Sequence, residues 1–167
     1  TLALASNKAG LASGESATLT ILLSESATDF GANDITVSGG TLSNFSGSGS
    51  HYSATFNPAA NSVTEAVISV ASGRFTDAAG NANADGADAD NTLHIRVDTQ
   101  APVALTFSPA DEAADVLPRS EMSIGFSEAV QRGAGSVQLK TAAGAVVESF
   151  DAATSPRLSV NGNTLTV

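Results

Sequence analysis

The feature that most constrains this chain is its rhythm. Apolar and polar residues alternate in short runs, and clusters of Gly, Ser, Asn and Pro separate one run from the next. Alternation with a period of two turns one face of each run toward a core and the other toward water, the signature of half-buried β-strands. In residues 16–24, Ala17, Leu19, Ile21 and Leu23 fall on one face, and Thr18, Thr20 and Leu22 on the other. A helical period fails almost everywhere, and Thr, Ser, Val, Ile and Gly dominate, so the reading is all-β.

Strands are predicted at residues 1–5, 16–24, 34–38, 42–45, 52–56, 65–70 and 93–97. That number in a hundred residues is the density of an immunoglobulin-like sandwich, although the Trp and the Cys pair of antibody domains are missing. Residues 72–102 organise the chain. They join an acidic loop to one alternating strand, where Leu93, Ile95 and Val97 face inward and His94 and Arg96 outward, and then to an exit stiffened by Pro102. Asp77, Asp85, Asp88, Asp90 and Asp98 share that stretch with Arg96 as the basic residue nearby. They repel one another unless they are spread in solvent or gathered around a cation.

After Pro102 the pattern restarts. Ile21-Leu22-Leu23-Ser24-Glu25 aligns with Ile124-Gly125-Phe126-Ser127-Glu128 at an offset of 103 residues, and an internal repeat of that length is one sandwich per copy. The expected organisation is two tandem immunoglobulin-like β-sandwich modules: residues 1–98, a short linker at 99–102, and residues 103–167. The second is incomplete at its C-terminus, short by roughly 35 residues if it matches the first. Either the chain stops early, which is the expectation, or another subunit supplies the missing strands by β-addition. Opening at Thr1 rather than Met, the chain reads as a fragment or a processed product.

Charge and composition narrow the partners. Seventeen acidic residues against seven basic ones give a net charge of −10, which repels nucleic acid and anionic membrane surfaces and favours cations. No apolar run approaches the roughly 20 residues of a membrane span. Without Cys, neither disulfides nor thiol chemistry is available.

Phe75-Thr76-Asp77-Ala78-Ala79-Gly80-Asn81, followed by Val97-Asp98-Thr99-Gln100-Ala101-Pro102, resembles the signatures of bacterial Ig-like repeats found in tandem in large surface adhesins and biofilm proteins. Residues 34–37 and 41–49 strengthen the likeness. Residues 107–111 and 124–128 resemble a second bacterial Ig-like type seen in S-layer and adhesin proteins. The resemblance implies an extracellular, structural and adhesive rod segment at the bacterial cell surface. Adjacent Ig-like modules would be its partners, the surface ligand would be carried elsewhere in the parent protein, and calcium near the module junctions would stiffen the rod.

The residues themselves supply a parallel argument. Ca²⁺ takes six to eight oxygen ligands in irregular geometry, which loops tolerate. Asp77 and Asn81 flank a Gly80 turn, and Asp85, Asp88 and Asp90 follow in a Gly/Ala-rich loop. Because the loop and the linker lie at opposite poles of such a sandwich, Asp98 is assigned to the second module with Glu128, and Glu25 by the repeat to Asp77 and Asn81. The metal set is therefore Glu25, Asp77, Asn81, Asp85, Asp88, Asp90, Asp98 and Glu128. Against it stands a plain alternative: solvated charge, ordinary turn chemistry and polar strand ends. An EF-hand is excluded, since counting from Asp77 puts Ala79, Ala82 and Asp88 at positions 3, 6 and 12.

Enzymatic constellations are missing. His51 and His94 are spaced like no zinc motif, and the chain has neither a nucleophile elbow nor a phosphate loop. The chain is read as no enzyme. Two other roles stay open: an S-layer or filament assembly subunit whose second module is completed by a neighbour, and a carbohydrate-binding module.

Overall fold

The computed structural model describes residues 1–110, 112–117 and 119–167. Asp111, which closes the second motif, and Pro118 in the turn region 109–120 lie outside the described residues. Among them are thirteen strands and two 3-10 turns. The chain divides into two units, Thr1–Gln100 and Ala101–Val167.

The first unit is a two-sheet sandwich. One sheet is antiparallel and places β3 (Ala17–Ala27) between β1 (Leu2–Ser6) and β5 (Gly40–Pro58). β3 alternates as its sequence demands: Ala17, Leu19, Ile21 and Leu23 are buried while Thr18, Thr20 and Leu22 are exposed. β5 folds back on itself near residues 47–50. The Ser46 and Ser53 hydroxyls meet at 3.2 Å, and Asn44 Nδ2 donates to Thr55 Oγ1 at 3.3 Å. The two strands expected at 42–45 and 52–56 are thus the arms of one hairpin. Gly47 makes that bend possible with φ at +132°, a conformation that L side chains rarely adopt.

The second sheet runs in the order β2 (Gly10–Ala12), β7 (Thr92–Asp98), β6 (Ala66–Ser69), β4 (Thr36–Ser38). β2 was not expected from the pattern. It pairs parallel to β7 through Leu11 and Val97, both buried. Between the sheets, Leu19, Ile21, Phe56, Ile68 and Ile95 are fully buried, each such side chain stabilising the fold by about 1.5–3 kcal/mol. Ile95 and Val97 face inward and His94 and Arg96 outward, as expected, and Leu93 is half-buried.

The fastening of the first unit extends into the first residue of the linker expected at 99–102. Thr99 is buried. Its N–H donates to Ser62 O at 2.8 Å, and its hydroxyl donates to Ala59 O at 2.7 Å and accepts from Ser62 N at 2.9 Å.

The second unit holds a four-stranded antiparallel sheet in the order β12 (Ser159–Asn161), β13 (Thr164–Thr166), β9 (Ser123–Phe126), β8 (Ala104–Ser108). A separate hairpin joins β10 (Ser136–Lys140) and β11 (Val146–Asp151). Its core is sparse: among the described residues only Phe150 and Leu158 are buried, and every residue of β8 is exposed.

Candidate functional site

The acidic connection between β6 and β7 crosses the Ala27 end of β3, where Ala27 bridges to Asp77 and Thr76 to Ala82. Its first part closes on itself. Asp77 Oδ1 accepts from the N–H groups of Ala79 at 2.8 Å and Asn81 at 2.9 Å, and Oδ2 accepts from Asn81 Nδ2 at 2.8 Å. The Asn81 side chain, then its backbone N–H and those of Ala79 and Gly80, hold the Asp77 carboxyl below its ordinary range. Asp29, which sequence reasoning missed, receives the Thr76 N–H at 3.0 Å and the Thr76 hydroxyl at 2.7 Å, and these bonds lower its pKa too.

The middle of the loop folds inward around two asparagines that the sequence pattern did not single out. Buried Asn83 accepts from Arg74 N at 2.7 Å and Phe75 N at 3.3 Å, and donates to Ala71 O at 3.0 Å. Fully buried Asn91 donates to Asp85 O at 2.8 Å, while its Oδ1 has no hydrogen-bond partner. Asp85 itself is buried, and Oδ2 accepts the N–H of Leu2 at 2.5 Å. Burial pushes the Asp85 carboxyl up, but hydrogen bonds led by the one from Leu2 outweigh it, and the net direction is down. The residue proposed as a loop ligand is therefore also a clamp on β1.

Gly86 fits this fold through close approach. Its N–H donates to Ser72 Oγ at 2.9 Å, and a Cβ there would collide with the backbone of Ala71 and Ser72. Gly86→Ala is expected to destabilise the first unit by about 2–3 kcal/mol, as overpacking against rigid backbone does. Urea unfolding checks this; a loss below about 0.5 kcal/mol, the level of an ordinary surface change, would mean the loop gives way freely.

A cavity of about 450 Å³ opens at this pole, and Glu25, Asp77, Asn81, Asp85 and Asp88 all line it, with Ser24 and Phe75. Beneath it lies an aromatic cluster: Phe30 packs edge-on against Phe75 and Tyr52, with ring centroids 5.2 and 5.0 Å away, and the Tyr52 hydroxyl donates to Ala27 O. Asp90 is exposed in the 3-10 turn Ala89–Asn91 and is not among the lining residues. Asp98 is exposed at the end of β7, paired in register with Ala12. Glu128 is half-buried just beyond β9 in the second unit.

The donors at the cavity are all oxygens, the chemistry a hard cation requires. They are not gathered into a finished shell: among the described residues no three His, Asp or Glu side chains stand close enough to share an ion. Both histidines lie exposed on strands, His51 Nδ1 2.9 Å from Ser50 Oγ and His94 Nδ1 3.0 Å from Glu65 Oε2.

Two antiparallel-rich sheets packed face to face, with polar loops at the poles, define an immunoglobulin-like module. The chain belongs to the bacterial Ig-like domain family, whose profile matches residues 1–95. Modules of this family are generally non-catalytic structural or adhesive parts that typically occur in surface and extracellular proteins. Comparison with curated proteins and with solved structures returns no match. Among the described residues no helix is long and apolar enough to cross a membrane.

Proposed function

We propose that this chain is a spacer segment of a repetitive bacterial adhesin, working outside the cell beside further Ig-like modules, and that a divalent cation stiffens it. The target of adhesion is carried by another part of the parent protein. The second unit is read as a further Ig-like module of which residues 103–167 form a part. The observation that carries the cation is the shared cavity: five of the eight predicted ligands, Glu25 from β3 and four from residues 77–88 of the acidic loop, open on one space. Glu25, Asp77, Asn81, Asp85 and Asp88 would hold the ion, and calcium bound there would supply positive charge to a pole crowded with carboxylates. A carbohydrate-binding role finds less support, since Tyr52, Phe30, Phe56 and Phe75 are buried and cannot stack on a sugar.

Thermal unfolding in calcium and in chelator tests this. With a Kd near 10⁻⁴ M, as in extracellular calcium modules, calcium at a hundred times that concentration stabilises the first unit by about 2.7 kcal/mol. Glu25→Gln should weaken the response at little cost to the apo fold, because Glu25 is exposed at the end of β3. In small-angle scattering, chelation should broaden the end-to-end distribution. Identical melting curves with and without millimolar calcium, and an unchanged scattering profile, would overturn the cation reading while leaving the spacer reading intact.

A further inference from the structure

An asparagine can lose its side-chain nitrogen to its own backbone, and the residue that follows sets the pace. The backbone nitrogen of that residue attacks the side-chain carbonyl carbon, and a Cβ beside it stands in the way; glycine has none. Asn161-Gly162 is the one Asn-Gly pair in the sequence. Every other asparagine is followed by a residue with a Cβ, and Asn57 precedes Pro58, whose nitrogen carries no hydrogen.

The fold leaves this pair open. Asn161 ends β12, and Gly162 and Asn163 turn the chain into β13, with Asn161 opposite Thr164. All three of Asn161, Gly162 and Asn163 are exposed. Gly162 has φ at +59°, which the first turn position of a two-residue hairpin favours, and nothing lies within 4 Å of where a Cβ would stand. Its N–H donates to no backbone acceptor among the described residues. β12 is an edge strand of three residues, in a unit where only Phe150 and Leu158 are buried among the described residues. The local fraying that lets Asn161 turn its side chain onto the Gly162 nitrogen therefore costs little. Asp85-Gly86 carries the related hazard in sequence, and there the fold withholds both partners: the Gly86 N–H is bonded to Ser72 Oγ at 2.9 Å, and the buried Asp85 carboxylate accepts from Leu2 N.

We infer that Asn161 is a site of spontaneous deamidation. The Gly162 nitrogen bonds to Asn161 Cγ as the Cγ–Nδ2 bond breaks; the Gly162 N–H proton leaves with the NH₂ group as ammonia, and a succinimide ring remains. Water then opens the ring at either carbonyl. One opening leaves Asp at 161 in the original backbone, and the other routes the chain through Cγ, an isoaspartyl link one methylene longer. Water is the only co-reactant, and either product adds a negative charge. The longer backbone also shifts a turn that is fastened to the end of β9 and the residues after it, where Gly162 O accepts from Val130 N at 3.0 Å and Asn163 O from Phe126 N at 2.8 Å. Conversion loosens that end of the β9–β13 sheet and records the age of the chain.

Peptide mapping by mass spectrometry on the 167-residue chain, held in mildly alkaline buffer, tests this. The peptide spanning Asn161 is expected to exchange NH₂ for OH, to split into two isomers, and to do so on the order of tenfold faster than any other asparagine, the advantage of a nitrogen without a neighbouring Cβ. Asn161→Gln, whose longer side chain would have to close a six-membered ring, should abolish the change at this position while leaving the turn in place. Amide exchange at Val130 should speed up in the aged wild-type chain and stay constant in the aged variant; conversion with unchanged Val130 exchange would overturn the effect on the sheet. Faster loss at any other asparagine, or no loss at Asn161 over a period in which the urea-unfolded chain converts fully, would overturn the inference itself, the second result by showing that the hairpin protects the pair.

Discussion

Asp85→Ala is expected to cost the first unit about 2–4 kcal/mol, because it strands a buried donor. Leu2 is almost fully buried and its N–H has the Asp85 carboxylate as its acceptor, so alanine leaves that N–H without its protein partner. Asp77→Ala removes more hydrogen bonds, three against two, yet its loop is accessible and water replaces them, so a smaller loss is expected, about 1 kcal/mol. Asp85→Asn lies between: the amide oxygen accepts from Leu2, but the charge is gone.

The same carboxyl makes stability depend on pH. Its pKa in the folded unit lies below its unfolded value of about 3.9, so its contribution is complete above that value and vanishes as the pH falls through the folded one. Asp29 and Asp77 are lowered as well and act in the same direction. Acid should therefore destabilise the wild-type unit below about pH 4, and Asp85→Ala should flatten that slope. Tyr52 is the one tyrosine in a chain without tryptophan, so its fluorescence reports this unit alone. An Asp85→Ala midpoint equal to wild type at pH 7 would show that Leu2 finds another partner and that the clamp is dispensable.

What the sequence makes legible follows from the range of each signal. Alternation is local, so the inward faces of β3 and β7 could be read directly, and Leu19, Ile21, Ile95 and Val97 are buried as expected. β2 escapes because three residues are too few to show a period; it exists through pairing with β7, more than eighty residues away. The two arms of β5 read as separate strands because Gly47 and Gly49 mark a turn without marking what it joins. For the site, the internal repeat assigned Glu25, and charge spacing the loop aspartates, to one pole, but neither could separate a solvated carboxylate from a buried clamp. That distinction depends on Leu2, Asn83 and Asn91, and their hydrogen bonds leave no trace in periodicity. Asp90 illustrates the limit from the other side: its place in the acidic run is like that of Asp88, yet the 3-10 turn carries it off the cavity lining.

Core truncation should separate the two units sharply. Phe56→Ala removes a ring that is 0% exposed between two complete sheets, leaving a cavity that the surrounding strands cannot fill, and is expected to cost about 3–5 kcal/mol. In a unit of this size, each kcal/mol shifts the melting temperature by about 4–8 °C, so the Tyr52 transition should move by well over ten degrees. Phe107→Ala removes the same number of atoms from a side chain already 51% exposed, where no closed cavity forms; about 1 kcal/mol or less is expected. The contrast is a measure of how far each sandwich is closed, since the two rings differ in what lies over them rather than in chemistry. Equal losses would mean that Phe107 is covered in solution by something this chain supplies on its own.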